Sequence, residues 1–404
     1  MEKIIQLFIY LNDFAKSIFF LILIGLIILI YNVFMHFFKD RRYIRAILKN
    51  VDPKINSMED LKDFPLLNII VPAWKEGILF KNCLSSISKL IYPNIKVIVN
   101  AGGSEETINI ANEFKKFKNF IILLQSGGKE KAALGKIKAL NECLIHVSEG
   151  LLYLTDADCY ITDDLILRLI NPLINGNEDI VIGAGTRPLI SQEKHHIVKY
   201  ALFSRFGFFK TKYAKYHKTM VSGANTCLKY EVIESIGNFN ENRIIAEDVS
   251  RGYDIISKGF KVFWLSDYRS RIYTDFPPTI KETLKQRKRY IENSLMYGYF
   301  QKNLMRIIKV LLLFLSSMFL VIFPIFIFIN LGLFYICILI FAGIYLNRIR
   351  RYIFFKIVVD RKYYHKFPKI IFIKMFFYIY LEILANVATL FGLYSFRKQV
   401  KNRI

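Results

Sequence analysis

An α/β fold with a mostly parallel sheet, flanked on both sides by apolar helical segments, is what three features of this sequence predict. Between residues 66 and 270, short β-type runs alternate with helical patterns, the signature of a sheet covered by helices on both faces. Uncharged apolar runs stand on either side of that region. The third feature is compositional: the 404 residues are 53% hydrophobic, yet 57 Lys and Arg face 33 Asp and Glu, for a formal net charge of +24. That much apolar content excludes a disordered basic protein and argues against a nucleic-acid partner. Basic loops lying against the anionic headgroups of a lipid bilayer account for both properties.

The first apolar run, Ser17 to Phe38, is 22 residues without a charge. At about 1.5 Å per residue it just crosses a hydrocarbon core of roughly 30 Å. The basic cluster Lys39, Arg41, Arg42, Arg45 and Lys49 follows it, so this flank is expected on the cytoplasmic side and the span is not a cleaved leader.

The middle region reads element by element. Leu67 to Val71 is a strand and Glu76 to Leu90 a helix; Ile95 to Val99 is a strand and Glu105 to Lys116 a helix. Phe120 to Leu124 is a strand, followed by a helix over Glu130 to Val147. Leu151 to Thr155 is an apolar strand that ends in Asp156-Ala-Asp158. The helix Glu231 to Ile236, a helical segment over Val249 to Lys258 and the strand Phe260 to Leu265 complete the pattern.

After Lys309, a charge-free run of 38 residues, Val310 to Asn347, is long enough for two helices, with a break expected at Asn330-Leu-Gly332. Arg348 to Lys374 then carries nine Lys or Arg and a single acid, Asp360, which again predicts a cytoplasmic segment. A last apolar stretch, Met375 to Phe396, contains Glu382 and either spans or lies in the interface. The five cysteines are widely spaced, with no CxxC pair or Cys/His cluster, so reduced thiols are expected rather than disulfides or a zinc site.

Three charged constellations carry chemistry. Asp156 and Asp158 stand at a strand's carboxyl end, where open α/β sheets collect ligands, and two carboxylates there suit Mg²⁺ or Mn²⁺ bridging to a diphosphate. A surface turn is the plain alternative. Glu247-Asp248 offers either an acid–base pair or the acidic first turn of a helix. Gln286-Arg-Lys-Arg289-Tyr290 is either a basic stripe facing headgroups or a clamp in which Gln286 and Arg289 share a helix face.

Taken in order, several strings resemble the membrane-integrated family 2 glycosyltransferases, the group of cellulose, hyaluronan, chitin and poly-N-acetylglucosamine synthases. They are Ile70-Val-Pro-Ala-Trp-Lys-Glu76, Gly135-Lys136 with Ala139-Leu-Asn141, Thr155-Asp-Ala-Asp158, Gly223-Ala-Asn225, Glu247-Asp248 and Gln286-x-x-Arg289-Tyr290. The resemblance implies a Rossmann-like GT-A domain over 51–275 and interfacial helices over 276–309. It also implies a membrane helix within 1–50 and a membrane region over 310–404, with spans near 310–329, 331–347 and 375–396.

By the same resemblance, the reaction is an inverting transfer from a nucleotide-sugar donor to a glycan or lipid-linked acceptor at the cytoplasmic membrane face, with polysaccharide synthesis as one outcome. Pro72, Ala73, Glu76, Lys136 and Asp156 would bind the donor, with Gln286 and Arg289 on its diphosphate. Asp158 and Asp156 would hold Mg²⁺ or Mn²⁺. Glu247 and Asp248 would be catalytic, Asp248 as general base, while Asn225 and Tyr290 would meet the acceptor. Two departures qualify the pattern. Where the family carries a base-recognising acid after the second strand, this chain has Asn100-Ala-Gly-Gly-Ser104, so a uridine donor is not carried over. Tyr290 replaces the usual Trp. Single-sugar transfer to a polyprenyl-linked acceptor, or a non-catalytic nucleotide-binding scaffold, remain the alternatives.

Overall fold

The computed structural model describes residues 57–125, 136–193, 195, 198, 214–217, 223–239, 247–265, 268–300, 302–322, 325, 331–362, 373–378 and 381, with parts of 17–48. Two compact units divide the chain: 49–198 with 208–276, and 1–48 with 199–207 and 277–404.

The first unit holds eleven described strands: β1 (Leu67–Trp74), β2 (Ile95–Gly102), β3 (Phe120–Leu124), β4 (Leu151–Leu154), β5 (Cys159–Tyr160), β6 (Ile180–Ile182), β7 (Thr186–Pro188), β8 (Ala214–His217), β9 (Thr226–Lys229), β10 (Val262–Leu265) and β11 (Ile272–Thr274). Its described helices are α1 (Ile78–Ile87), α2 (Glu105–Glu113), α3 (Lys136–Leu144), α4 (Asp163–Ile174), α5 (Tyr230–Ile236) and α6 (Glu247–Ser257). Eight strands form the main sheet in the order β3-β2-β1-β4-β9-β6-β10-β8. β9 runs antiparallel to both its neighbours and β8 antiparallel to β10, and the remaining pairings are parallel. A small second sheet, β5-β11-β7, was not foreseen: its strands are two or three residues long, too short to show a period.

Burial on both faces explains the continuous apolar runs. Ile69, Val71, Val97 and Val99 pack with Phe80, Leu84, Ile110 and Leu169 from α1, α2 and α4 on one side. Ile70, Ile98 and Leu152 pack with Leu140, Cys143 and Val232 from α3 and α5 on the other.

β1 runs three residues past its expected end, through Pro72. The reason lies in the register: β1 pairs with β2 along its whole length but with β4 only from Leu67 to Ile70, so the missing N–H of Pro72 falls where the sheet has one neighbour. The expected helix start at Glu76 is corrected to Ile78, because Lys75 takes a left-handed conformation (φ +57°) and turns the chain before the helix begins. Within the expected helix over 130–147, residues 136–144 are helical, and 130–135 lie outside the described residues. α2 is capped by Ser104, whose hydroxyl accepts from the Thr107 N–H, and ends in a 3₁₀ turn over Phe114–Lys116.

In the second unit the chain forms α7 (Ile280–Phe300), α8 (Leu304–Ile322) and α9 (Leu331–Lys362). α9 extends beyond the expected span 331–347 and continues for 32 residues in all, since no Gly or Pro after Gly343 interrupts it. Arg350 on α9 donates from Nη1 to both Asp40 oxygens at 2.6 Å and from Nη2 to Asn347 Oδ1 at 2.8 Å, tying the two basic flanks to one level. Most of the expected spans 17–38 and 375–396, with Glu382, lies outside the described residues. Among the described residues, no helix is long and apolar enough to cross a membrane.

Candidate active site

The carboxyl ends of β1, β2 and β4 come together, and the charged residues singled out in the first unit's amino-terminal half gather there. Pro72 and Ala73 lie on β1, in register with Asn100 and Ala101 of β2; Ala73 is buried and Pro72 half-buried. The left-handed turn at Lys75, whose N–H donates to the Gly102 carbonyl at 3.0 Å, delivers Glu76 to the same end of the sheet. β4 stops at Leu154 and releases Asp156 and Asp158, and Lys136, the first residue of α3, forms an ion pair with Asp156.

These groups share one electrostatic field. Asp158 is pushed above the usual carboxylate range, first by burial and then by the charge of Asp156, while hydrogen bonds from Thr274 and Cys159 oppose the shift. Glu76 is raised too, again by burial first, then by Asp158 and Asp156. Lys136 answers Asp156, whereas burial and mutual repulsion leave Asp158 and Glu76 poorly accommodated as anions. A hard divalent cation suits that arrangement, because Mg²⁺ and Mn²⁺ take one or two carboxylates and complete their shell with phosphate oxygens and water. Among the described residues, no group of three or more His, Cys, Asp or Glu forms a complete metal cage.

Asn225 stands apart from the charged groups. Its side chain is fully buried, with Nδ2 donating to the Ser270 carbonyl at 2.9 Å and packing against Gly183 so closely that any side chain there would collide. It fixes β9 beside β6 and has no surface to offer an acceptor. Glu247 and Asp248 open α6, with Asp248 half-buried; acids at that position also favour the helix dipole. Gln286, Arg289 and Tyr290 lie on α7 in the second unit: Gln286 is half-buried, Arg289 and Tyr290 are exposed, and the Arg289 guanidinium sits 5.9 Å from the Tyr290 ring centroid. Gln286 and Arg289, three apart, share a face of that helix.

Two features escaped sequence reasoning. A cavity of about 320 Å³ opens beside Asp158, lined in part by Asn82, Lys89, Tyr160, Ile190 and Tyr273. Arg187 of β7 stacks on the Tyr273 ring at 3.6 Å and stiffens that wall. The other is the crowding of Gly102 by both Trp74 and Gln125 at the ends of β1 and β3, where single residues at a strand end carry no pattern.

Residues 151–349 match the family model described as glycosyl transferase family group 2. The chain carries a family 2 glycosyltransferase domain. Asp156, Asp158, Asn225, Glu247, Asp248, Gln286, Arg289 and Tyr290 fall inside the matched range, while Pro72, Ala73, Glu76 and Lys136 precede it. Among relatives, a probable glycosyltransferase of Bacillus subtilis is 23% identical over 246 residues, 57% of this chain and 56% of that protein. The poly-beta-1,6-N-acetyl-D-glucosamine synthase of Staphylococcus epidermidis is 23% identical over 290 residues, 70% of this chain and 65% of that enzyme. The chain thus aligns to less than two thirds of either relative. A solved mannosyltransferase of Pyrobaculum calidifontis, in complex with GDP-Man and Mn²⁺, is similar at TM-score 0.46 and 16% identity, over 70% of this chain and 75% of that one.

Proposed function

We propose that the protein moves a sugar from a nucleotide-diphosphate sugar onto a hydroxyl of a glycan or lipid-linked acceptor, with inversion, at a membrane face. The convergence of Glu76, Asp156, Asp158 and Lys136 at the carboxyl ends of β1 and β4 carries this reading. In a GT-A arrangement the donor lies across these strand ends, with Pro72 and Ala73 beneath it and Lys136 and Asp156 against its diphosphate. Asp158, with Asp156, holds Mg²⁺ or Mn²⁺. The cation, when bound, neutralises charge on the departing nucleoside diphosphate.

Asp248 takes the proton of the acceptor hydroxyl as that oxygen attacks the anomeric carbon, and Glu247 lies beside it. A single displacement needs only one base, which is why inversion follows. Gln286 and Arg289, on one face of α7, offer an amide and a guanidinium to a phosphate, and Tyr290 offers its exposed ring to a sugar. The apolar runs with their basic flanks support a membrane location, and the Asp40–Arg350 pair joining those flanks agrees with both lying on one side of the bilayer.

The deciding experiment measures metal-dependent release of nucleoside diphosphate from a panel of sugar donors, using the full chain in detergent. Asp158→Ala and Asp248→Asn are each expected to lower turnover by at least about a hundredfold. Full activity in both variants would overturn the mechanism, and a product of retained anomeric configuration would overturn inversion.

A further inference from the structure

The sheet order puts β4 on one side of β1 and puts β2 and β3 on the other. A nucleoside diphosphate whose phosphates sit at Lys136 and Asp156 therefore lays its nucleoside over the ends of β1, β2 and β3. What stands there is unusual. A Cβ added at Gly102 would lie 2.8 Å from Gln125 Cβ and 3.1 Å from both Gln125 Oε1 and the Trp74 ring. At Gly103, where φ is +85°, it would lie 2.7 Å from the Trp74 indole. The two glycines are there because the indole and the Gln125 amide occupy the space above them. Neither Gly102 nor Gly103, at the end of β2, has a side chain with which to read a base.

Gln125 is only 8% exposed, and its Oε1 is buried with no hydrogen-bond partner among the described residues. A buried carbonyl oxygen left in that condition is unfavourable unless a ligand supplies an N–H. Beside it lies an aromatic ring that is itself only partly buried, the usual companion of a flat heterocycle. Resting on the nucleotide-donor reading, we propose that the Gln125 amide is the base-reading group of this glycosyltransferase. Oε1 accepts from a base N–H while Nε2 donates to the acceptor atom next to it, and Trp74 flanks the ring. An amide in place of a carboxylate changes what is selected. Uracil, thymine, cytosine and adenine each present one donor beside one acceptor and match an amide. Guanine matches an amide as well, through N1–H and O6, but it alone also presents two adjacent donors, N1–H and the 2-amino group, which match a carboxylate.

The test is calorimetric binding of UDP, CDP, ADP and GDP to the full chain in detergent with Mn²⁺. In Gln125→Glu, GDP affinity relative to UDP is expected to rise about tenfold over wild type, since the new carboxylate accepts from guanine twice and from uracil only once. Gln125→Met, which removes the unpartnered oxygen while keeping the shape, is expected to melt no lower than wild type and to narrow the spread among bases about tenfold. It decides the matter should the glutamate variant not fold. An unchanged ranking of bases in every variant that folds would overturn the assignment of Gln125 and leave the donor reading intact. Failure of all four nucleotides to bind wild type would overturn both.

Discussion

Thr107 holds Glu76 by both ends of its peptide: the Glu76 N–H donates to Thr107 Oγ1 at 2.7 Å, and the Thr107 hydroxyl donates to the Glu76 carbonyl at 2.8 Å. Thr107 is fully buried, and its N–H donates to Ser104 Oγ at 3.2 Å, so the cap of α2 and the turn after β1 are one hydrogen-bonded unit. The acid that faces Asp156 and Asp158 is positioned by a hydroxyl 31 residues away.

Thr107→Val keeps the shape and removes both bonds. Stability is expected to fall by about 1–3 kcal/mol, since two half-buried backbone groups lose their partner. Nucleotide affinity should weaken as well, because Glu76 is no longer fixed. Urea unfolding and calorimetric binding, run on the same preparation, read the two effects.

Asp158 and Glu76 both have folded-state pKa values raised above their ordinary 3.8 and 4.5. Over the window between those values and the raised ones, the folded protein binds more protons than the unfolded chain, so stability falls as pH rises through it. Asp158→Asn removes the Asp158 share of that penalty and its repulsion of Glu76. Without metal, the variant should melt above wild type at neutral pH, and the gap should close near pH 4. Added Mn²⁺ should reverse the neutral-pH order by stabilising wild type alone. Thermal melts across pH, with and without Mn²⁺, check the sign.

Gly103 and Gly259 both have positive φ, at +85° and +87°, but only Gly103 has an indole in the way. Gly259 ends α6, with its N–H donating to the Ile256 carbonyl at 3.0 Å, and has open space around its Cα. Gly259→Ala is expected to cost about 1 kcal/mol from backbone strain alone. Gly103→Ala should cost about 2–4 kcal/mol, because Trp74 must also move. Trp fluorescence would report the displaced indole in the second variant only.

In the second unit, Arg350 and Asp40 are mostly buried, with side chains 23% and 16% exposed. Arg350→Ala should destabilise by about 2–3 kcal/mol, since it leaves a half-enclosed carboxylate unpaired. Arg350→Lys should recover less than half of that, since a single ammonium cannot donate to Asp40 and also keep the bonds that Nε and Nη2 make to Asn347 Oδ1. A double-mutant cycle with Asp40→Ala, measured by unfolding in detergent, isolates the pair.

Much of this was legible beforehand. The runs Ile69–Val71, Val97–Val99 and Leu151–Leu154 are buried on both faces, and only strands between two helix layers carry apolar side chains without alternation. The acidic pair at the end of β4 could be read because a strand ending in two carboxylates is a local signal. Glu76 was misplaced into a helix because nothing in the sequence announces a left-handed lysine, a conformation that sterics rarely allow. The burial of Asn225 could not be read from its motif, since it depends on Gly183 and Ser270, both distant in sequence. Gln125 gave no signal, because its meaning arises only once β3 lies against β2.

The placement of β9 also orders the birth of the molecule. β3, β2, β1 and β4 are sequential in synthesis and can zip into a parallel sheet as they emerge, but β9, the partner on the far edge of β4, appears about 70 residues later. β6 emerges earlier and cannot substitute, because β9 must lie between it and β4. For that interval on the ribosome, the edge of Leu151–Leu154 has unmatched N–H and C=O groups and an apolar face on either side, the condition in which nascent chains recruit a chaperone or one another.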